Sequence, residues 1–148
     1  MISKEEINKI EKYLKELHEG SYKRSDPLLG CMIRAQLLFL VLRKEGYDPK
    51  IMKYTIKGNE KKNYDDKEKI SHASGHKFPS HVVVLLNGFI LDANVGRAIP
   101  KEEYEKEIIS YEPREKLLFV EEEPKIDTEL CKQYVKRYKL VSFEGIFT

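Results

Sequence analysis

The sequence has no tryptophan, only two cysteines and almost no excess of either charge. Its 27 Lys and Arg residues nearly balance 25 Asp and Glu residues, and the two signs are interleaved along the chain. Because a nucleic-acid-binding surface normally carries a basic patch or stripe, this charge pattern predicts no nucleic-acid partner. Cys31 and Cys131 are too few for a disulfide framework and lack the Cys-x-x-Cys spacing of zinc and redox sites.

Long apolar segments are also missing. The longest run, residues 37–42, is far shorter than the roughly 20 residues of a membrane span. The N-terminus alternates acidic and basic residues and has no hydrophobic signal-peptide core. These absences predict no membrane partner and a cytoplasmic location. With 148 residues, of which 41% are hydrophobic and 35% charged, the chain is expected to form one globular domain over residues 1–148.

Two helices are predicted in the first third of the chain. Ser3 and Glu6 have capping-box spacing, and apolar residues at helical spacing follow as far as Gly20. Residues 21–30 have turn chemistry and predict a loop. Residues 31–42 are apolar on nearly every face, which is typical of a helix in the middle of a domain. Cys31 is therefore expected at the N-terminus of a central buried helix.

The middle of the chain is rich in β-forming residues. Residues 50–57 predict a strand, and residues 82–86 and 89–91 predict a hairpin around Asn87-Gly88, a strong two-residue turn signal. The intervening residues 58–79 are polar, have no periodic pattern and predict a long loop. Further strands are predicted at 117–120 and 140–143, and further helices from Pro100 and over 127–137. This order of elements predicts an α+β fold.

His72 and His76 lie in the predicted long loop. As zinc ligands they need two more donors, and the sequence has no evident ones, so neither a metal nor a cofactor is predicted. A loop of this length can instead cover a site as a lid or a substrate loop.

Cys31 is the candidate nucleophile. A cysteine at a helix N-terminus faces free backbone N–H groups and the positive end of the helix dipole, and both favour the reactive thiolate. The same N–H groups can stabilise an oxyanion. The alternative is that Cys31 is a small apolar core residue, a common role of free cysteine. Cys131, inside a predicted helix, is assigned that core role.

The predicted hairpin brings a histidine and an acid together. In its register His81 falls opposite Asn94, and Asp92 is a diagonal neighbour of His81 on the same face. A carboxylate or an amide there can orient an imidazole that acts as base for a thiol. Either Asp92 or Asn94 can therefore be the orienting group. The alternative is that His81 only begins a strand and Asp92 only begins a turn.

Taken in order, the helix-start cysteine, strand histidine and strand aspartate resemble the papain-like and transglutaminase-like superfamily. Residues 30–36, Gly-Cys-Met-Ile-Arg-Ala-Gln, with Leu-Arg-Lys-Glu-Gly at 42–46, resemble the nucleophile helix of the protein-glutamine deamidases. His-Val-Val-Val at 81–84 and Leu-Asp at 91–92 resemble the histidine and aspartate segments of that family. Gln36 stands where the family often has histidine, and Ala93 where it usually has proline. The resemblance covers about residues 30–94.

The resemblance implies a buried helix carrying Cys31, packed on an antiparallel sheet that carries His81 and Asp92. It implies that Cys31 attacks a glutamine carboxamide of a protein or peptide substrate, with its own backbone N–H as half of an oxyanion hole. His81 would be the base and acid, and Asp92 would hold His81. A similar cysteine helix and histidine hairpin occur in leader peptidases of lasso-peptide maturation, so a cysteine peptidase is the first alternative. An inactive binding module on the same fold is the second.

Two neighbours of Cys31 are expected to support it. Arg34 lies one turn further on the same helix face, where it can anchor Asp26 or a substrate carboxylate, or alternatively form only a structural pair at the helix rim. Gly30 permits backbone angles that other residues avoid, and the deamidase pattern also has a glycine before the cysteine.

Overall fold

The structure, a computed structural model, describes residues 2–21 and 27–147. Its helices and strands follow the chain as α1 (Lys4–Ser21), α2 (Pro27–Lys44), β1 (Lys50–Ile56), β2 (Ile70–His72), β3 (Lys77–Phe78), β4 (Ser80–Leu86), β5 (Phe89–Asp92), β6 (Arg97–Pro100), α3 (Lys101–Glu107), β7 (Ile109–Ser110), β8 (Leu117–Glu122) and α4 (Thr128–Tyr138). Short 3₁₀ helices lie at Asn59–Lys61, Tyr64–Asp66, Arg114–Lys116 and Val141–Phe147. The predicted α+β class is confirmed.

The strands form two antiparallel sheets. The larger has the order β6-β5-β4-β1-β8, and the smaller has the order β3-β2-β7. The predicted hairpin is the centre of the larger sheet, with Leu86 paired to Phe89 across the turn. Asn87 and Gly88 both have positive φ, 48° and 82°, as a two-residue hairpin turn of this kind requires.

The larger sheet has a core on each face. On one face α1, α2 and α4 pack against alternate residues of β4 and β5, including Val84 and Leu91. On the other face α3 and the smaller sheet cover the remaining residues, including Tyr54 and Val83. Helix α2 is buried along most of its length, as its all-round apolar pattern predicted. None of the helices in the described part of the chain is both long and apolar enough to cross a membrane.

Three predicted elements differ from the structure. Residues 27–30 were expected in a loop and are the first turn of α2, while residues 22–26 lie outside the described part. The strand predicted at 140–143 is wrong, because Lys139 adopts a left-handed conformation after α4 and the Leu140 N–H donates back to the Val135 carbonyl. The chain therefore turns away from the sheet and forms a 3₁₀ helix. The predicted long loop at 58–79 contains β2 and β3.

Candidate active site

Cys31 lies in the second turn of α2 rather than at its start. The helix begins at Pro27, a residue favoured at the first helical position because it has no N–H to leave unpaired. In a regular α-helix the N–H of Cys31 then donates to the Pro27 carbonyl. Cys31 is thus not among the first helix residues with free N–H groups, which was the geometric basis for the expected role of its N–H in an oxyanion hole. Cys31 is buried, with 7% of its surface exposed.

Arg34 and Gly30 form a unit beside Cys31. A Cβ atom at Gly30 would lie 3.2 Å from Arg34 Nη1, so the glycine leaves room for the guanidinium group. Arg34 is buried and donates to the side-chain oxygen of Asn94, while Asp26 lies outside the described residues. Asn94 is thus a partner of Arg34 in this structure.

The hairpin register holds only near the turn. Pairing of β4 with β5 ends at Val84 and Leu91, and Asp92 pairs with Arg97 of β6. The expected cross-strand pair of His81 and Asn94 is therefore wrong, because residues 93–96 form a turn instead of prolonging β5.

The predicted proximity of His81 and Asp92 is present, since His81 Nε2 lies 3.1 Å from Asp92 Oδ2. The separation of the strands leaves a small cavity where helix α2 faces β4 and the end of β5. Its lining is contributed by α2, β4 and the end of β5, as Cys31, Arg34, Ala35, Leu38, His81, Val82, Val83, Leu91, Asp92, Ala93 and Asn94.

The backbone of β4 also contacts the Cys31 sulfur. In a two-residue hairpin the pair across the turn is hydrogen-bonded, and hydrogen-bonded pairs alternate along the strands. By this alternation the N–H of Val82 points to the side of β4 on which β5 lies. The pairing with β5 has ended before this position. The Cys31 sulfur accepts from this N–H. The early end of the hairpin thus supplies Cys31 with a backbone donor.

The Cys31 thiol and the His81 imidazole form a coupled pair. Burial alone would raise the pKa of Cys31, but His81, the Val82 N–H and Arg34 together lower this pKa below its usual value. Burial opposes the charge on His81, yet Asp92 and Cys31 raise the pKa of His81 to about 10. His81 Nε2 faces Asp92, and Nδ1 has no hydrogen bond of normal geometry among the described residues. Nδ1 is therefore the nitrogen left for the thiol.

Asp92 is the most heavily hydrogen-bonded side chain of the site. Its Oδ2 accepts from Tyr104 Oη at 2.6 Å and from His72 Nε2 at 2.7 Å, in addition to His81. Its Oδ1 accepts from the Asn94 N–H at 2.8 Å. Burial would raise the pKa of Asp92, but the charge of His81 and these hydrogen bonds hold it well below its usual value. The buried carboxylate is therefore ionised.

His72 and Tyr104 were not predicted as members of the site. His72 belongs to β2 and is 5% exposed, so the prediction that it lies over the site in a lid or substrate loop is wrong. Tyr104 is completely buried on α3. Only the alternation of Ile70 and His72 as buried residues around Ser71 hints at a strand there, and three residues are too few for a firm prediction.

His72, His81 and Asp92 also form the kind of group that can bind a metal ion, with one ligand atom from each within 4.8 Å of the others. The hydrogen bonds argue against such use of His72. Its Nδ1 accepts from the Ser74 N–H at 2.9 Å, so the ring proton is on Nε2 and points at Asp92. A metal on Nε2 would move the proton to Nδ1, where it would meet the Ser74 N–H. The residues present fit a hydrogen-bonded network better than a metal centre.

An open groove of about 250 Å³ gives access to Cys31. Its floor is mainly apolar and includes Cys31, Ile51 and Val82. Lys53 and Glu122 lie in it as an ion pair at 4.0 Å and also line a second, neighbouring depression. The thiol is thus recessed in a groove that has a second depression beside it.

No protein-family model, curated protein or solved structure matches the chain. The resemblance to cysteine hydrolases therefore rests on the residues quoted above.

The two thiols should react at very different rates. Cys131 is completely buried, packs against Gln36, and burial raises its pKa to about 11. Cys31 lines the groove and has a lowered pKa. We expect iodoacetamide at pH 6 to alkylate Cys31 at least about tenfold faster, because the thiolate is the reacting form. Peptide mapping of partly labelled protein measures both rates, with urea-unfolded protein as the control. Equal rates in the folded protein would contradict an activated Cys31.

Proposed function

We propose that this protein is a cysteine-dependent amidohydrolase of papain-like or transglutaminase-like fold that deamidates glutamine side chains of a protein or peptide. The observation that carries the proposal is the Cys31–His81 pair, in which Asp92 holds one imidazole nitrogen and leaves the other for the thiol. This is the arrangement that activates a cysteine nucleophile.

The reaction uses the groups in sequence. The Cys31 thiolate attacks the carboxamide carbon, and protonated His81 gives its proton to the departing nitrogen as the C–N bond breaks and ammonia leaves. Water then loses a proton to His81 and attacks the thioester, so that the C–S bond breaks. The products are glutamate and regenerated Cys31, and no cofactor takes part.

The recessed position of Cys31 supports a side-chain substrate. Only 7% of the residue is exposed, in a groove whose floor is mainly apolar. A glutamine carboxamide stands on two methylene groups and can reach such a thiol. A main-chain peptide bond has to bring both flanking residues into the groove with it. This comparison favours deamidation over peptide cleavage, and the second depression beside the groove offers room for residues that flank the glutamine.

The test is incubation of the protein with unfolded casein and short glutamine peptides, followed by mass spectrometry and an ammonia assay. We expect a gain of about one dalton at glutamine, since nitrogen is exchanged for oxygen, and hydroxylamine should intercept the thioester as a hydroxamate. Cys131→Ala protein should behave as wild type, and Cys31→Ala protein should release no ammonia.

Other outcomes separate the alternatives. Substrate fragments that require Cys31 would identify a peptidase of the same fold. Substrate binding without any product or hydroxamate would identify a binding module. Ammonia release by folded Cys31→Ala protein would contradict the whole mechanism.

A further inference from the structure

Three donors share one oxygen of Asp92. Tyr104 Oη lies 2.6 Å and His72 Nε2 2.7 Å from Oδ2, whereas His81 Nε2 lies 3.1 Å away. The contact with His81 is the longest of the three. Asp92, which orients His81, is therefore itself held more closely by Tyr104 and His72. Neither of these two residues has a step in the proposed reaction.

Both donors are fixed by their own surroundings. The Ser74 N–H occupies Nδ1 of His72, which commits the ring proton on Nε2 to Asp92. Burial, followed by the nearby charge of Asp92, raises the pKa of Tyr104 well above its usual value, so its hydroxyl keeps its proton. Neither donor can turn away without leaving a buried polar group unpaired, which is destabilising.

We propose that Tyr104 and His72 are positioning residues that hold the Asp92 carboxylate in place and weaken its pull on the His81 proton. The proposal rests on the proposed function only because it takes Cys31 and His81 as the reacting pair. Hydrogen bonds to a carboxylate stabilise its charged form and reduce what it offers to a further partner. His81 is thereby kept able to release its proton to a leaving group.

Asp92 and His81 have few other titratable or charged neighbours among the described residues. The titratable and charged side chains that face Asp92 and His81 come from α2, β1, β2 and α3, and they are Cys31, Arg34, Tyr54, His72 and Tyr104. Of these, only His72 and Tyr104 donate to Asp92 Oδ2. Tyr54 lies beside Tyr104, with ring centroids 5.5 Å apart, and its hydroxyl has no partner among the described residues. Tyr54 is thus a matched control.

The test is a histidine NMR titration of ¹⁵N-labelled protein, with the His81 signals assigned by their loss in His81→Gln protein. Tyr104→Phe removes one donor and keeps the ring, so we expect the His81 midpoint to rise by about one pH unit. His72→Leu should act in the same direction. His72→Gln, which retains a donor, should restore the wild-type midpoint, and Tyr54→Phe should leave it unchanged.

The wild-type protein gives a second measurement that needs no buried substitution. Because both imidazoles donate to one oxygen, the His72 Nε2–H resonance should move with the same midpoint as His81. The proposal would be overturned by a His72 Nε2–H chemical shift that does not change as His81 titrates. It would also be overturned by a folded Tyr104→Phe variant with the wild-type His81 midpoint. A purely structural role would change the unfolding temperature alone.

These readouts are independent of amide hydrolysis. If no substrate is deamidated but the midpoints move as expected, the proposed function fails and the positioning role stands. If glutamine is deamidated and the His81 midpoint of folded Tyr104→Phe protein equals that of wild type, the positioning role fails alone.

Discussion

Replacing Asp92 with alanine should lower the free energy of unfolding by about 3–5 kcal/mol, the usual cost of removing one member of a buried ionic network. The substitution deprives four buried donors of their acceptor at once, the side chains of His72, His81 and Tyr104 and the Asn94 N–H. In a protein of this size the unfolding temperature should fall by roughly 10 °C. Thermal and urea unfolding measured by circular dichroism check this value.

Asp127→Ala is the matched control for the loss of an aspartate. Asp127 caps α4 through one exposed bond, to the Leu130 N–H at 3.0 Å, and loss of such a cap costs about 1 kcal/mol. An equal effect of the two substitutions would contradict the network at Asp92.

The pH dependence of stability provides a further check on Asp92. The pKa of Asp92 is lower in the folded protein than its usual value of 3.8, so its contribution is present above that pH and is lost as the pH falls through the folded-state pKa. Wild type should therefore lose stability in acid more steeply than Asp92→Ala protein.

The parts of the site that were predictable depend on local chain geometry. The turn at Asn87-Gly88 sets the register of β4 and β5, and the register places His81 and Asp92 on one face whether or not the strands continue. The end of pairing after Leu91 was not predictable, because it depends on the turn at 93–96, where α2 residues also line the cavity beside the strands.

The remaining members of the network are brought in by long-range packing. Tyr104 is on a seven-residue helix with exposed charged neighbours, and His72 is on a three-residue strand within a polar segment. Neither pattern identifies a buried donor, since the partner, Asp92, lies 12 residues from one and 20 from the other. Only the tertiary fold joins these elements.

The start of α2 has a sequence signal in Pro27. Pro27 is a typical first helical residue, and it places Cys31 beyond the first turn. This changes the physical account of Cys31. Its pKa is lowered by His81, the Val82 N–H and Arg34 against the effect of burial, rather than by free N–H groups at a helix terminus.

If His81 activates Cys31, then His81→Gln should reduce kcat/KM for glutamine peptides by about 10²–10⁴-fold, the usual contribution of a general acid–base group. The alkylation rate of Cys31 at pH 6 should fall as well, because the imidazole is the strongest favourable influence on the thiolate. Stopped assays for ammonia and peptide mapping of the labelled thiol measure the two effects separately.

His76→Gln is the matched histidine control, because His76 is partly exposed on the turn next to His72 and contacts Ser74 rather than Asp92. It should leave both rates unchanged. Glutamine at position 81 has neither an ionisable group nor a basic nitrogen, so it offers the thiolate no positive charge and cannot take up the thiol proton. Alkylation of Cys31 in folded His81→Gln protein at the wild-type rate would therefore remove the basis for an activated nucleophile, whatever substrate is later found.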